Sequence, residues 1–129
     1  MSKLLFRATQ GDRPVAIGRA TSDEVSALAG RVVPAAVRDD IDRWNLIAIR
    51  DPLGRGIQIH ALGWRRRLGN TWITSPIVSI DAASAMVSTS SAHSYALGEP
   101  NGADIDPDLA DHLLYALQTW GLLRIERAS

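Results

Sequence analysis

Apolar and polar residues alternate along the middle of this chain in a pattern typical of β-strands. Three strand-like runs cover residues 44–50, 57–64 and 71–80. The segments between them contain Gly, Pro, Asn and Asp, as hairpin turns do. A serine-rich run over residues 84–90 adds a fourth strand-like segment. The centre of the chain therefore predicts an antiparallel β-meander.

The second of these runs carries apolar residues at both odd and even positions. Ile59 and Ala61 fall on one face of the strand, and Leu62 and Trp64 fall on the other. Both faces are therefore at least partly apolar, and we expect helices to cover one of them.

The amino-terminal third predicts a hairpin followed by a short helix. Residues 4–9 and 15–18 form two short strand-like segments separated by a polar turn. Thr21 and Glu24 then have the spacing of a capping box, and Gly30 is placed to end the helix.

A second amphipathic helix is predicted after Pro34, a residue that suits a first helical turn. Val37, Ile41 and Trp44 follow at spacings of four and three residues, so they would line one helical face. We expect this helix to run directly into the first central strand.

The strongest helix signal lies near the carboxyl terminus. Asp106 is a good N-cap, Pro107 suits the first helical position, and Gly121 can terminate the helix. An apolar stripe occurs at helical spacing between them. Its members are Leu109, Leu113, Leu114, Leu117 and Trp120.

These elements predict an α+β fold: an antiparallel β-meander of about four or five strands packed against a C-terminal helix and one or two short N-terminal helices. A chain of 129 residues that is 46% hydrophobic is long enough for one core. We therefore expect residues 1–129 to form a single globular domain.

Composition excludes several classes of function. The chain has no cysteine, which removes disulfide frameworks, thiolate zinc sites and cysteine nucleophiles. Its formal net charge is zero, so a charged partner must be recognised by a local patch. The amino-terminal apolar run is too short for a signal peptide, and no window is long enough to span a bilayer. We expect a cytoplasmic protein with no membrane partner.

The clearest local bias is the stretch GWRRRLGN, which places three consecutive arginines in a predicted hairpin turn. Arginine beside tryptophan suits a surface that binds another protein, and it also suits RNA or single-stranded DNA. Strand alternation sends Arg65 and Arg67 to one face and Arg66 to the other, so the three arginines do not form one patch, and the solvated end of a hairpin is the simplest interpretation. The candidate interaction residues are Trp64, Arg65, Arg66, Arg67, Arg55 and Trp72.

Negative charge is concentrated between Glu99 and Asp111. Alternate aspartates from Asp104 are spaced like the start of a calcium-binding loop, but Leu109 and Tyr115 occupy the positions that need Gly and Glu. Helix capping explains these carboxylates, and we expect no metal site. The basic hairpin and the acidic helix start can pair within one subunit or across a homodimer.

His93 has the most polar surroundings of the three histidines. Together with Ser91 and Asp81 it supplies the residue types of a Ser-His-Asp triad. The chain has no G-x-S-x-G nucleophile elbow, and its glycine turns lack the spacing of a phosphate-binding loop. We expect no cofactor, and a small hydrolase or transferase centred on His93 is one alternative function.

Residues 74–100 contain a Thr-Ser pair, a following Asp and a closing Ser-x-x-Tyr-x-Leu-Gly-x-Pro element in which the Ser is one residue out of register. The matching residues are Thr74, Ser75, Asp81, Ser91, Tyr95, Leu97, Gly98 and Pro100. This pattern resembles an element of short uncharacterised proteins from alphaproteobacterial genomes. The resemblance implies a bacterial, mobile-element origin and transfers no catalytic residue.

The sequence thus predicts a small non-enzymatic protein-interaction module. We expect a bacterial or mobile-element regulator or inhibitor that binds another protein through residues 64–67. A nucleic-acid-binding accessory protein that uses the same arginines is the second alternative.

Overall fold

The computed structural model describes residues 4–32, 37–51, 56–102, 104–122 and 124–127, of which 50% lie in strands and 16% in helices. The helices are α1 (Ser22–Ser26) and α2 (Pro107–Thr119). The strands are β1 (Leu4–Gln10), β2 (Arg13–Arg19), β3 (Val37–Arg50), β4 (Ile57–Arg65), β5 (Thr71–Ile73), β6 (Ile77–Asp81), β7 (Met86–Thr89), β8 (Ser94–Leu97) and β9 (Arg124–Arg127).

The nine described strands form one curled sheet that branches at β3. The main order is β6-β7-β8-β3-β2-β1-β9, and β4 joins β3 to β5. β3 is 14 residues long, so one of its edges has room for two neighbours. β8 pairs with it in parallel over residues 37–41, and β2 pairs antiparallel over residues 47–50. The other edge of β3 pairs with β4.

A β-bulge separates the two halves of β3. Arg43 has a φ of 47°, and the pairing with β4 shifts register between Asp42 and Asn45. Gly63 lies against this bulge. A Cβ atom at Gly63 would lie 2.6 Å from Cγ2 of Ile41 and 2.7 Å from the carbonyl oxygen of Asp42. The close approach of the two backbones therefore requires glycine.

Each face of the sheet has its own core. On the helix face, α2 buries Leu109, Leu113 and Leu117 against the sheet. On the opposite face, which we call the hairpin face, strands β6 to β8 pack over β3 and β4. β4 supplies Leu62 to the first core and Ile59 to the second, so both of its faces are buried. The second core consists of Ile41, Ala48, Ile59, Ala61, Ile77, Ile80, Val87, Tyr95 and Leu97.

The capping box predicted for the first helix is confirmed. The Thr21 hydroxyl accepts a hydrogen bond from the Glu24 N–H at 3.2 Å, and Oε1 of Glu24 accepts from the Thr21 N–H at 2.7 Å. The Arg50 guanidinium donates two further hydrogen bonds of 2.7 Å to the Glu24 carboxylate. Glu24 therefore caps α1 and also links this helix to β3 through its ion pair with Arg50.

This ion pair is expected to make stability depend on pH in the acid range. Hydrogen bonding to Arg50 lowers the pKa of Glu24 from 4.5 to about 2. Because the pKa is lower in the folded state, the stabilisation is complete above the unfolded-state pKa and is lost as pH falls towards about 2. We expect Glu24→Gln to lower the free energy of unfolding at pH 7, and the deficit to shrink below pH 4.5. Urea denaturation across this range measures the deficit, and a deficit of constant size would contradict the prediction.

The predicted second N-terminal helix is wrong, because residues from Val37 onward form β3. Ile41 and Trp44 are three residues apart, yet both pack on the hairpin face. In a regular strand they would point to opposite faces, but the bulge at Arg43 shifts the alternation by one. The bulge therefore places two residues that are three positions apart on the same face of a strand, and in the sequence this spacing is typical of a helix. Pro34 lies outside the described residues.

The predicted meander of four or five antiparallel strands is also wrong. The run over residues 71–80 is two strands separated at residues 74–76, and the pairing of β8 with β3 is parallel. α1 ends at Ser26, well before Gly30. The start of the last helix is confirmed, with Asp106 as N-cap and Pro107 as its first residue. Neither helix in the described part of the chain has the length and apolar character needed to cross a membrane.

Candidate functional site

Arg66, the middle arginine of the run, is paired within the chain. Its Nε and one terminal nitrogen each donate a 2.9 Å hydrogen bond to the Asp42 carboxylate. The other terminal nitrogen lies 3.5 Å from Asp40. These hydrogen bonds from Arg66 hold the pKa of Asp42 below its ordinary value. The positive charge of Arg66 is therefore matched by carboxylates of the same chain.

The tryptophans that flank the run are covered by guanidinium groups. Arg65 lies over the Trp72 ring, 3.9 Å from the ring centroid, and donates to Asn70 at 3.1 Å. Arg43 lies 4.9 Å from the centroid of Trp64. Cation–π contacts of this kind occupy a ring face that a nucleic-acid base would otherwise stack on.

Asp39 links the start of β3 to the turn after β4 by a hydrogen bond. This carboxylate is only 5% exposed, and its Oδ1 accepts hydrogen bonds from the backbone N–H groups of Asp40 and Arg67. The side chain of Arg67 is exposed, and no described residue bonds to it. Of the predicted interaction residues, Arg67 is thus the free cation of the run. Arg55 lies outside the described residues.

An open groove of about 720 Å³ lies between this turn and α2, and we call it the hairpin–helix groove. His112 of α2 joins the two walls, since its Nδ1 is 2.8 Å from the Thr71 hydroxyl. The His112 ring also meets Trp72 edge to face, with centroids 6.5 Å apart. Burial lowers the pKa of His112, and the nearby charge of Arg65 lowers it further, so this histidine is neutral at pH 7.

Several side chains line the walls of the groove. Trp64 is half-buried there, and its Nε1 is enclosed, with no acceptor in the described part of the chain. Tyr115 is 68% exposed. Asp108 and Asp111 also line the groove as exposed carboxylates. The groove therefore combines exposed aromatic surface with negative charge.

One of the carboxylates at the start of α2, that of Asp106, has a structural role. The Asp106 side chain accepts a 3.0 Å hydrogen bond from the Asp108 N–H and caps the helix. Among residues that the structure describes, no three His, Cys, Asp or Glu side chains are grouped to hold a metal ion.

The structure brings Ser91 and His93 together, but an arginine contacts both nitrogens of the ring. Ser91 Oγ is 3.2 Å from His93 Nδ1, and the Nη1 of Arg38 lies 2.7 Å from Nε2 and 3.2 Å from Nδ1. Because a guanidinium only donates, Arg38 competes with the Ser91 hydroxyl for the lone pair of the ring. A nucleophile and its base are arranged differently, with a carboxylate facing the second ring nitrogen.

The Ser91 hydroxyl is itself engaged by neighbouring hydroxyls. It accepts from Ser75 at 3.0 Å and lies 3.0 Å from Thr89 Oγ1. Because the Thr89 hydroxyl already donates to the His93 carbonyl at 3.1 Å, the Ser91 proton points to Thr89. This network ties together the turn between β7 and β8 and leaves no activated serine.

Asp81, the third residue of the predicted triad, lies elsewhere. It pairs with Met86 at one end of the β6–β7 ladder, whereas Thr89, which contacts His93, lies at the other end. The Asp81 carboxylate accepts from the backbone N–H of Val32 at 3.2 Å. The structure therefore does not assemble Ser91, His93 and Asp81 into one site.

Sequence reasoning missed the contribution of α2 to the groove. His112 and Tyr115 belong to no motif, and their position depends on how α2 packs against β5. The available signal was an aromatic residue, Tyr115, outside the apolar stripe of an amphipathic helix.

The comparisons with known proteins identify no relative of this chain. The resemblance of residues 74–100 to alphaproteobacterial proteins stays a prediction, and function rests on the geometry described above. No protein-family model, no curated protein and no solved structure matches the chain.

Proposed function

We propose that this protein is a small non-enzymatic module that binds another protein, and that the hairpin–helix groove receives an extended basic segment of that partner. The observation that carries the proposal is the pair of exposed carboxylates, Asp108 and Asp111, that line the groove beside the exposed ring of Tyr115. Such a module acts as a regulator or inhibitor by occupying a surface of its partner.

An extended basic segment supplies the positive charge that these groups lack. A lysine or arginine of the segment would meet the carboxylates of Asp108 and Asp111 and the ring of Tyr115. Tyrosine and tryptophan are also the residues most enriched at protein interfaces.

The same groups favour a protein partner over a nucleic acid. Asp108 and Asp111 would repel phosphates. Arg66 is paired with Asp42, and the Trp72 ring is covered by Arg65. Arg67 alone does not provide the continuous positive surface that single-strand binding uses.

Binding is tested with two labelled peptides of equal length, one of alternating Arg and Ser and one of alternating Glu and Ser. We expect fluorescence anisotropy to show saturable binding of the basic peptide only, weakened by added salt. Asp108→Asn with Asp111→Asn should weaken binding at least about tenfold because the partner cation loses both carboxylates. The matched control is Asp12→Asn with Asp23→Asn, which changes net charge equally at exposed positions outside the groove.

Equal binding of both peptides, or an equal effect of the two double variants, would overturn the proposal. Analytical ultracentrifugation of the protein alone provides a second test. A dimer that the groove variant dissociates, and that excludes the basic peptide, would assign the groove to a second copy of this chain instead.

A further inference from the structure

A second cavity lies where α2 fails to cover the helix face. The helix ends at Thr119, and beyond it a pocket of about 240 Å³ opens between the β1–β2 turn, the ends of β3 and β4, and Trp120. We call it the open-end pocket. Its apolar floor is formed by Val15, Ile49 and Leu122, which belong to or pack against the helix-face core. The pocket is therefore an uncovered extension of that core.

Strand alternation places two polar side chains on the same face of the sheet as the apolar floor of the pocket. Gln10 of β1 lies on the same face as Phe6 and Ala8, and Gln58 of β4 lies on the same face as Leu62. Both glutamines line the pocket and are exposed, and their carboxamides form no hydrogen bond with another described residue. Each carboxamide offers donors and an acceptor side by side.

The charge at the rim of the pocket is balanced. Arg13 and Asp51 both line it, and their side chains form an ion pair of 3.5 Å. A strongly charged ligand would have to compete with this pair, so the lining favours a neutral one.

Trp120 is held as a rigid wall of the pocket. His60 stacks on it with ring centroids 4.6 Å apart and an interplanar angle of 22°. His60 is 1% exposed, and its Nδ1 is fixed 2.7 Å from the Thr74 carbonyl oxygen. Burial lowers the pKa of His60, so the ring beneath Trp120 is neutral at pH 7. The indole itself remains 38% exposed.

We propose that the open-end pocket binds a small neutral planar heterocycle of nucleobase size. The ring of the ligand would stack on Trp120, as bases stack on aromatic side chains. Its edge would exchange hydrogen bonds with Gln10 and Gln58, since carboxamides match the paired donors and acceptors of such an edge. The small volume limits the ligand to a single ring system or a compact fused one.

The test uses the full chain labelled with ¹⁵N and four probes: adenine, cytosine, uracil and, as a non-planar control, cyclohexanol. We expect at least one heterocycle to shift the Trp120 indole N–H resonance and the side-chain amides of Gln10 and Gln58 in a saturable way. Gln10→Ala with Gln58→Ala should weaken this binding at least about tenfold. Gln118→Ala is the matched control, because this exposed glutamine does not line the pocket.

Three results would overturn the proposal: no saturable shift with any heterocycle, equal binding of cyclohexanol, or shifts outside the pocket only. The spectra of the double variant also report whether it is folded. Because neither glutamine lines the hairpin–helix groove, failure here leaves the peptide-binding test unaffected.

Discussion

Replacing Gly63 with alanine is expected to destabilise the protein by about 3 kcal/mol, since an added methyl group in a packed site forces backbone shifts. The new Cβ would lie 2.6 Å from Ile41 Cγ2, 2.7 Å from the Asp42 carbonyl oxygen and 3.1 Å from the Trp44 Cα. Two of these atoms belong to the backbone of β3, which cannot rotate away. The bulge is also held from the other side, where the Trp44 N–H donates to the Glu99 carbonyl at 3.2 Å.

Urea denaturation of Gly63→Ala measures this loss, and Gly102→Ala is the control. No atom lies within 4 Å of a Cβ added at Gly102, and its φ lies outside the left-handed region. We expect the control to change the free energy of unfolding by less than about 0.5 kcal/mol. Similar values for the two variants would mean that β3 and β4 do not approach closely at the bulge.

Truncating Leu113 to alanine is expected to destabilise the protein by about 2–5 kcal/mol, the range for replacing a buried leucine with alanine and leaving a cavity in the core. Leu113 is 0% exposed in the helix-face core. Two neighbouring leucines of α2, Leu109 and Leu117, are equally enclosed, so the site has little freedom to collapse.

Tyr115→Ala serves as the comparison on the same helix. Tyr115 is 68% exposed, so its truncation should change stability by less than about 0.5 kcal/mol. This variant also removes a wall of the hairpin–helix groove without unfolding the chain. Equal destabilisation by Leu113→Ala and Tyr115→Ala, measured by thermal and urea denaturation, would contradict the packing of α2 on the sheet.

Features that depend on near neighbours in the chain were predictable from sequence. The capping box of Thr21 and Glu24 and the helix start at Asp106 and Pro107 each involve residues at most three positions apart. The apolar character of both faces of β4 also follows from simple alternation. These features gave the kind of those elements but not their neighbours in the sheet, and over residues 37–44, where the bulge disturbs alternation, the kind of element was itself predicted wrongly.

Features that depend on distant pairing were not predictable. The parallel pairing of Asp39 with Tyr95 joins segments that share no local signal. The arginine run was correctly singled out as a basic hairpin, yet the register of β3 against β4 places Asp42 beside Arg66. The sequence pattern does not show that register. The prediction from sequence therefore overestimated how much of the positive charge of the turn is unpaired.

The branching of the sheet at β3 has a consequence for synthesis on the ribosome. β4 follows β3 closely and can pair with it early, because short loops close at low entropic cost. β8, which pairs with residues 37–41 of β3, begins only at Ser94. Until the ribosome has passed this point, residues 37–41 of β3, which include the core residue Ile41, have no strand along the edge that β8 later occupies. A nascent chain stalled before Ser94 would therefore display an open strand edge beside exposed apolar side chains, which is the surface that chaperones bind and that aggregates grow from.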